Sequence, residues 1–268
     1  MHIYGIINKD YIILHKNGDR MKKLEILYLY PDILELYGDY GNIQVLKYRT
    51  EKRKIECNIT SYSIGDEIPD FTKYDLVFAG GGADQEQGIL AADLMKLKDN
   101  IKKAIEKGVF FLLICGAYQL FGKYYKDVDG NIIPGLEIFD YYTEANNDRK
   151  KRCIGNIIVE ATLNNEKIKV IGFENHGGQT FNIKNSFGKV LVGNGNKFGD
   201  EFEGFFEKNV LATYLHGPLL SKNPKLTDYI IKCCLKKKYN EESDLMELDD
   251  TFENNCRNQL IERFLGEK

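Results

Sequence analysis

An uninterrupted apolar run, residues 109–114, ends abruptly in Cys115 and Gly116. The run is too short for a membrane helix, and it predicts a strand that is covered on both faces, as in a parallel sheet. Gly116 permits a tight turn, after which residues 117–123 can form a helix. Cys115 would then lie at a helix N-terminus, where the dipole and free N–H groups favour a thiolate. A buried cysteine that only packs in the core is the alternative.

A glycine triplet follows a second short apolar run, residues 76–79. Gly80, Gly81 and Gly82 would leave bare backbone N–H groups at a strand end. Such groups suit an oxyanion hole or an anion site, although a plain turn has the same composition. The spacing matches neither a P-loop nor a dinucleotide fingerprint, so the triplet does not predict a nucleotide site.

Two histidines, His176 and His216, each end an apolar run and each precede a glycine. The other histidines lie within the first fifteen residues. A general base for a thiol needs an imidazole with a pKa near neutrality, held by a rigid strand end. Either histidine alone could be structural, but both together with Cys115 favour a Cys–His site.

Four motifs occur together in one order and spacing: GGGADQEQ (80–87), CGAYQL (115–120), GFENHGG (172–178) and TYLHGP (213–218). A fifth string, YGDYGN, precedes them at residues 37–42. The set resembles class I glutamine amidotransferases. It is most similar to the GatD-type glutaminase subunits of lipid II isoglutaminyl synthase, and less so to the glutaminase domains of cobyric acid synthases. The resemblance spans about residues 21–224.

The resemblance implies a flavodoxin-like α/β fold with a mostly parallel sheet and helices on both faces. It also implies a catalytic pair, in which Cys115 forms a γ-glutamyl thioester and His216 moves the protons. The backbone N–H groups of Gly116 and of the Gly81–Gly82 turn would form the oxyanion hole. Gly82 and Gly116 are the two donors that we expect. His176 would be structural or part of a substrate loop.

Two further side chains are expected to bind the substrate. By resemblance, Arg152 would hold the α-carboxylate of glutamine, a task that suits a guanidinium fork. Arg149 is the alternative, and either arginine could be a surface residue. Gln119 would also bind substrate, or it could cap its helix.

One departure from many class I amidotransferases concerns the histidine. Their His-x-Glu string supplies a carboxylate that orients the imidazole, whereas here Gly217 and Pro218 follow His216. Three possibilities follow: the carboxylate comes from another residue, it comes from a partner protein, or it is missing.

The resemblance also implies a partner. With no nucleotide motif in the chain, a Mur-ligase-like MurT subunit would use ATP and attach the ammonia to D-glutamate of lipid II. No metal or cofactor is expected in this chain. The rival functions are amidation of a cobyrinate-like acid, a free-standing cysteine hydrolase, and a binding module without enzymatic activity.

Composition limits the remaining choices. The net charge of −3 argues against a nucleic-acid partner, and no apolar stretch is long enough to span a membrane. Six cysteines without Cys-x-x-Cys spacing, and no signal peptide, suggest a cytoplasmic protein. We expect an extension over residues 1–20, either a small hairpin over residues 2–14 or an extension without function, and a glutamine amidotransferase domain with C-terminal helices over residues 21–268. Its expected helices include 42–53, 84–107 with a break near residues 99–100, 224–235 and 251–265.

Overall fold

The computed structural model describes residues 21–240 and 244–266. The extension and hairpin expected before residue 21 lie outside this range. The strands are β1 (Lys23–Leu29), β2 (Glu56–Tyr62), β3 (Leu76–Ala79), β4 (Phe110–Ile114), β5 (Tyr124–Lys126), β6 (Ile132–Pro134), β7 (Tyr142–Ala145), β8 (Cys153–Leu163), β9 (Glu166–His176), β10 (Gly178–Phe181), β11 (Gly188–Val192), β12 (Phe202–Glu203), β13 (Phe205–Glu207) and β14 (Val210–Thr213). The α-helices are α1 (Tyr40–Glu51), α2 (Asp84–Lys96), α3 (Lys98–Glu106), α4 (Gly116–Phe121), α5 (Pro224–Tyr239) and α6 (Thr251–Leu265).

The central sheet has six strands in the order β13-β14-β4-β3-β1-β2. All neighbours are parallel except β13, which pairs antiparallel with β14 at one edge. From β1 the chain passes through α1 to β2, toward one edge of the sheet. From β3 it passes through α2 and α3 to β4, toward the opposite edge. Because such crossovers are right-handed, these helices cover opposite faces of the sheet. The expected mostly parallel sheet with helices on both faces is confirmed.

The apolar run before Cys115 forms the centre of this sheet. Every residue of β4 is buried, with Phe110 the most exposed at 2%. Burial of each such side chain stabilises the fold by about 1.5–3 kcal/mol. This is the strand covered on both faces that the sequence predicts.

The helix predictions were close, with small differences at the ends. The break expected near residues 99–100 occurs at Leu97, whose side chain is fully buried. Leu97 keeps a helical backbone, so α2 runs into α3 with only a local interruption. Helix α5 continues to Tyr239, and α6 spans the residues predicted. No helix in the described ranges is both long and apolar enough to cross a membrane.

Two smaller sheets lie beside the central one. One has the order β10-β7-β5-β6, and the other has the order β12-β11-β8-β9. The long hairpin of β8 and β9 reaches the central sheet, because Phe173 and His216 exchange backbone hydrogen bonds of 3.1 and 2.9 Å. This bridge fixes the backbone of His216 to a strand outside its own sheet.

Candidate functional site

Four loops meet at the carboxyl edge of the central sheet. Asp39 follows β1, Gly81 follows β3, Cys115 follows β4 and His216 follows β14. Adjacent strands β1 and β3 lead to connections on opposite faces, and ligands bind at such switch points in open α/β sheets. The edge therefore brings the predicted cysteine, histidine and glycine loop together.

Cys115 has a strained backbone. Its φ of 50° and ψ of −101° are outside the usual regions for a residue with a side chain. The Cys115 N–H donates to the Thr213 carbonyl at 2.8 Å, and the Cys115 carbonyl accepts from the N–H of Gln119 at 3.0 Å. The turn thus resembles a nucleophile elbow, with Cys115 immediately before α4.

His216 and Asp39 form a fully buried pair. The His216 Nδ1 lies 3.2 Å from each carboxylate oxygen of Asp39, and both side chains are 0% exposed. The Asp39 Oδ2 also accepts the N–H of Gly81 at 2.8 Å, which fixes the carboxylate. His216 Nε2 has no hydrogen-bond partner in the described part of the chain. With Nδ1 held by Asp39, Nε2 is the nitrogen left for chemistry.

The surroundings of His216 favour its charged form. Burial lowers the pKa of this imidazole, but the negative charge of Cys115 and the hydrogen bond that Nδ1–H donates to Asp39 outweigh burial and raise the pKa to about 10. A protonated imidazole beside the nucleophile is the arrangement that favours a thiolate in cysteine-dependent enzymes.

His176 has the opposite environment. Its Nδ1 hydrogen-bonds with the Gly178 carbonyl at 2.7 Å, and its ring stacks on Tyr214 with centroids 3.6 Å apart. Burial lowers the pKa of His176 to about 3, so this ring is neutral at physiological pH. The two His-Gly junctions are therefore chemically distinct.

The glycine loop packs tightly against these groups. A Cβ on Gly81 would lie 2.8 Å from His216 Cε1 and 3.4 Å from the Cβ of Cys115. A Cβ on Gly116 would lie 2.9 Å from the backbone nitrogen of Gly82. The Gly81 N–H is occupied by Asp39, so it is unavailable as an oxyanion donor. Among the backbone hydrogen bonds of turns, loops and caps in the described residues, none is donated by the N–H of Gly82 or Gly116.

Cys115 opens into a cleft of about 580 Å³. Arg152 lies at its edge, and the Arg152 Nε donates to Asn175 Oδ1 at 3.1 Å. The Asn175 amide donates in turn to the Tyr37 hydroxyl at 2.7 Å. The Tyr37 ring packs edge-on against the His216 imidazole, with centroids 4.9 Å apart. One wall of the cleft thus connects the predicted carboxylate-binding arginine to the catalytic histidine candidate.

Gln119 lines the same cleft, but it is 3% exposed and already hydrogen-bonded. Its Oε1 accepts from Gln87 at 2.8 Å, and its Nε2 donates to the Tyr214 hydroxyl at 3.2 Å. Its role in binding substrate stays a prediction, because this bonding is equally suited to holding α2, α4 and the loop after β14 together.

A second buried carboxyl group lies behind the histidine loop. Glu203 is 0% exposed, and it accepts hydrogen bonds from the Thr213 hydroxyl at 2.9 Å and the Tyr214 N–H at 2.7 Å. Burial raises the pKa of Glu203 to about 8. These bonds fix the backbone that leads to His216.

Three residues of this site carry no role predicted from the sequence: Asp39, Tyr37 and Asn175. The first two lie in the YGDYGN string that contributes to the family resemblance, and Asn175 lies in the GFENHGG motif. Nothing in the spacing indicated that Asp39 approaches His216. Arg149, the alternative to Arg152, begins the short 3-10 helix Arg149–Lys151. No cluster of side chains suited to a metal ion occurs in the described residues.

Comparison with known proteins agrees with this geometry. The model of the CobB/CobQ-like glutamine amidotransferase domain matches residues 25–224. The chain is 40% identical over 244 residues to the GatD subunit of lipid II isoglutaminyl synthase from Staphylococcus aureus, covering 91% of this chain and 97% of that protein. It is 38% identical over 239 residues to the GatD subunit from Streptococcus pneumoniae, covering 88% and 89%.

More distant relatives cover less of the chain or share only its fold. A protein named probable cobyric acid synthase from Methanococcus vannielii is 32% identical over 54% of this chain and 31% of its own length. The structure of PurLQS from Thermotoga maritima has a TM-score of 0.51 and 17% identity, covering 82% of this chain and 100% of that one. The GatD-type resemblance and the glutamine amidotransferase fold are confirmed. The chain therefore belongs to the CobB/CobQ-like family of glutamine amidotransferases.

Proposed function

We propose that this protein hydrolyses the side-chain amide of L-glutamine and supplies the ammonia to a ligase that amidates lipid II. The observation that carries the proposal is the convergence of three groups at one cleft. Cys115 and Arg152 line it, and the glycine loop packs against both Cys115 and His216, whose Nδ1 lies 3.2 Å from Asp39. The choice of lipid II as the acceptor is supported by the two GatD proteins, because the match with this chain extends over nearly their whole length.

In the first half of the proposed reaction, the Cys115 thiolate attacks the amide carbon of glutamine and a C–S bond forms. The N–H groups of Gly82 and Gly116 stabilise the negative oxygen, and loss of one such donor costs about 10²–10³ in rate. His216 then gives its Nε2 proton to the leaving nitrogen. The C–N bond breaks, ammonia departs, and a γ-glutamyl thioester remains on Cys115.

In the second half of the proposed reaction, a water molecule enters the position that ammonia has left and hydrolyses the thioester. Neutral His216 removes a proton from the water, the oxygen attacks the thioester carbon, and the C–S bond breaks to release glutamate and the thiolate. Asp39 holds Nδ1 throughout and favours the imidazolium that forms in each half. The buried, hydrogen-bonded state of Asp39 suits a positioning role.

The ammonia acceptor is proposed from the relatives. A MurT-like subunit would bind ATP, activate the α-carboxylate of D-glutamate in lipid II, and take ammonia directly from this chain in the cytoplasm. Direct transfer matters because free ammonia at neutral pH is mostly unreactive ammonium. A cobyrinate-like acceptor has weaker support, because the cobyric acid synthase match covers about half of this chain.

The test is reconstitution with amide-¹⁵N glutamine, the cognate ligase subunit, ATP and lipid II. We expect ¹⁵N in the amidated lipid product, with glutamate formed in equal amount. The Cys115→Ala protein should support amidation only when ammonium salt is added. Glutamine hydrolysis without lipid II amidation would support the free-standing hydrolase instead. Absence of hydrolysis in every combination would support a binding module.

A further inference from the structure

The charges that line the cleft form a complementary pair. Within the described residues, Glu86 is the one carboxylate and Arg152 the one cationic side chain that line the cleft containing Cys115. The cleft also contains His176, but burial lowers its pKa to about 3 and leaves it uncharged at neutral pH. A ligand with one positive and one negative group would find one partner for each.

Glu86 comes from the first turn of α2, next to the oxyanion loop. A Cβ built on Gly82 would lie 3.6 Å from the Cβ of Glu86. The same loop places the Gly82 nitrogen 2.9 Å from a Cβ on Gly116, the residue after the nucleophile. Glu86 is therefore only a few ångströms from the backbone proposed to hold the reacting amide.

One carboxylate oxygen of Glu86 is not used by the protein itself. Its Oε2 is buried, and no hydrogen-bond partner for it occurs in the described part of the chain. A buried carboxylate oxygen without a partner is costly, whereas a cationic ligand would compensate the cost. By contrast, both carboxylate oxygens of Asp39 and of Glu174 have hydrogen-bond partners in the protein.

We infer that Glu86 binds the α-ammonium group of glutamine and so selects a free amino acid as substrate. This inference rests on the proposed function and deepens it. Arg152 would hold the α-carboxylate, Glu86 the α-ammonium, and Cys115 would face the side-chain amide. Glutamine within a peptide lacks the charged ammonium, so the same contact disfavours protein glutamine.

The test compares two substrates with two variants, in the full chain together with its ligase subunit. The substrates are L-glutamine and 4-carbamoylbutanoate, which keeps the amide and carboxylate but lacks the ammonium. A hydrogen bond to a charged group contributes about 1.5–3 kcal/mol, or roughly 10- to 100-fold in affinity. We expect Glu86→Gln to lower kcat/KM for glutamine by about 10- to 100-fold, chiefly through KM. The value for 4-carbamoylbutanoate should not fall.

The matched control is Glu144→Gln. Glu144 lies on β7 outside the cleft and accepts a hydrogen bond from the Tyr124 hydroxyl, so we expect neither substrate to be affected. Equal losses for both substrates in Glu86→Gln, including complete loss, would overturn the inference and leave the proposed function standing. No change for glutamine would also overturn it. If the wild-type complex does not hydrolyse glutamine, the proposed function itself fails.

Discussion

The Nδ1 of His216 lies 3.2 Å from both carboxylate oxygens of Asp39, although 177 positions separate the two residues in sequence. The contact forms because β1 and β14 both end at the site edge. It answers the question raised by the missing acid after His216, since the carboxylate comes from another residue of the same chain. In the proposed mechanism Asp39 is the residue that orients the imidazole, so the absence of an acid after His216 does not require a partner's carboxylate.

Asp39→Asn should reduce glutamine hydrolysis by about 10²–10⁴ while leaving the fold intact. The amide is isosteric, but it no longer stabilises the imidazolium and can favour the wrong tautomer of His216. Steady-state kinetics should show the loss mainly in kcat. Because the imidazolium becomes less stable, the pH profile should also shift, and a merely structural residue would not produce such a shift. Unchanged kcat and an unchanged pH profile would contradict the assigned role.

The pKa of His216 should lie above that of an ordinary imidazole, and the pKa of His176 should lie below it. Cys115 is the largest influence that raises the pKa of His216, so Cys115→Ala should lower that pKa from about 10. At pH 8 His216 would be protonated in the wild-type protein and more neutral in the variant. NMR of isotope-labelled histidine measures this change. His176 is the internal control, because its ring should stay neutral down to about pH 3 in both proteins. An equal change at both histidines would refute the pairing.

Gly81→Ala should damage activity without unfolding the protein. The new Cβ would lie 2.8 Å from His216 Cε1, so the imidazole or the loop must move. Small displacements of catalytic groups can cost about a hundredfold in rate. Gly88→Ala on α2 is the control, since nothing lies within 4 Å of its Cβ, and alanine suits a helix better than glycine does. Full activity of Gly81→Ala would show that the loop is looser than the contacts indicate.

Tyr37→Phe should weaken glutamine binding with little effect on kcat. The variant removes the hydroxyl that accepts from Asn175, and Asn175 holds Arg152. Loss of a neutral hydrogen bond of about 0.5–1.5 kcal/mol predicts a 2- to 10-fold rise in KM. Tyr48→Phe on the exposed side of α1 should have no effect. A large fall in kcat with unchanged KM would instead show that Tyr37 acts by positioning the His216 imidazole and not by supporting Arg152.

Much of this arrangement could be predicted from local sequence. The buried run before Cys115, the glycine loop and the His-Gly junction each carry a pattern that depends only on their own strand and turn. The resemblance supplied their expected roles. The contact between Asp39 and His216 could not be predicted, because it depends on which strands become neighbours in the sheet. The difference between His176 and His216 also depends on burial and on charges brought from distant segments.

Covalent capture of the nucleophile tests most directly whether Cys115 forms the thioester. A diazo-ketone analogue of glutamine should modify Cys115 alone among the six cysteines, as peptide mass spectrometry would reveal. Glutamine should protect against the modification, and His216→Ala should slow it. The Cys115→Ala protein should remain folded and unlabelled. Glutamine-protected labelling at another cysteine, or labelling that persists in Cys115→Ala, would contradict the assignment of Cys115 as the thioester-forming residue.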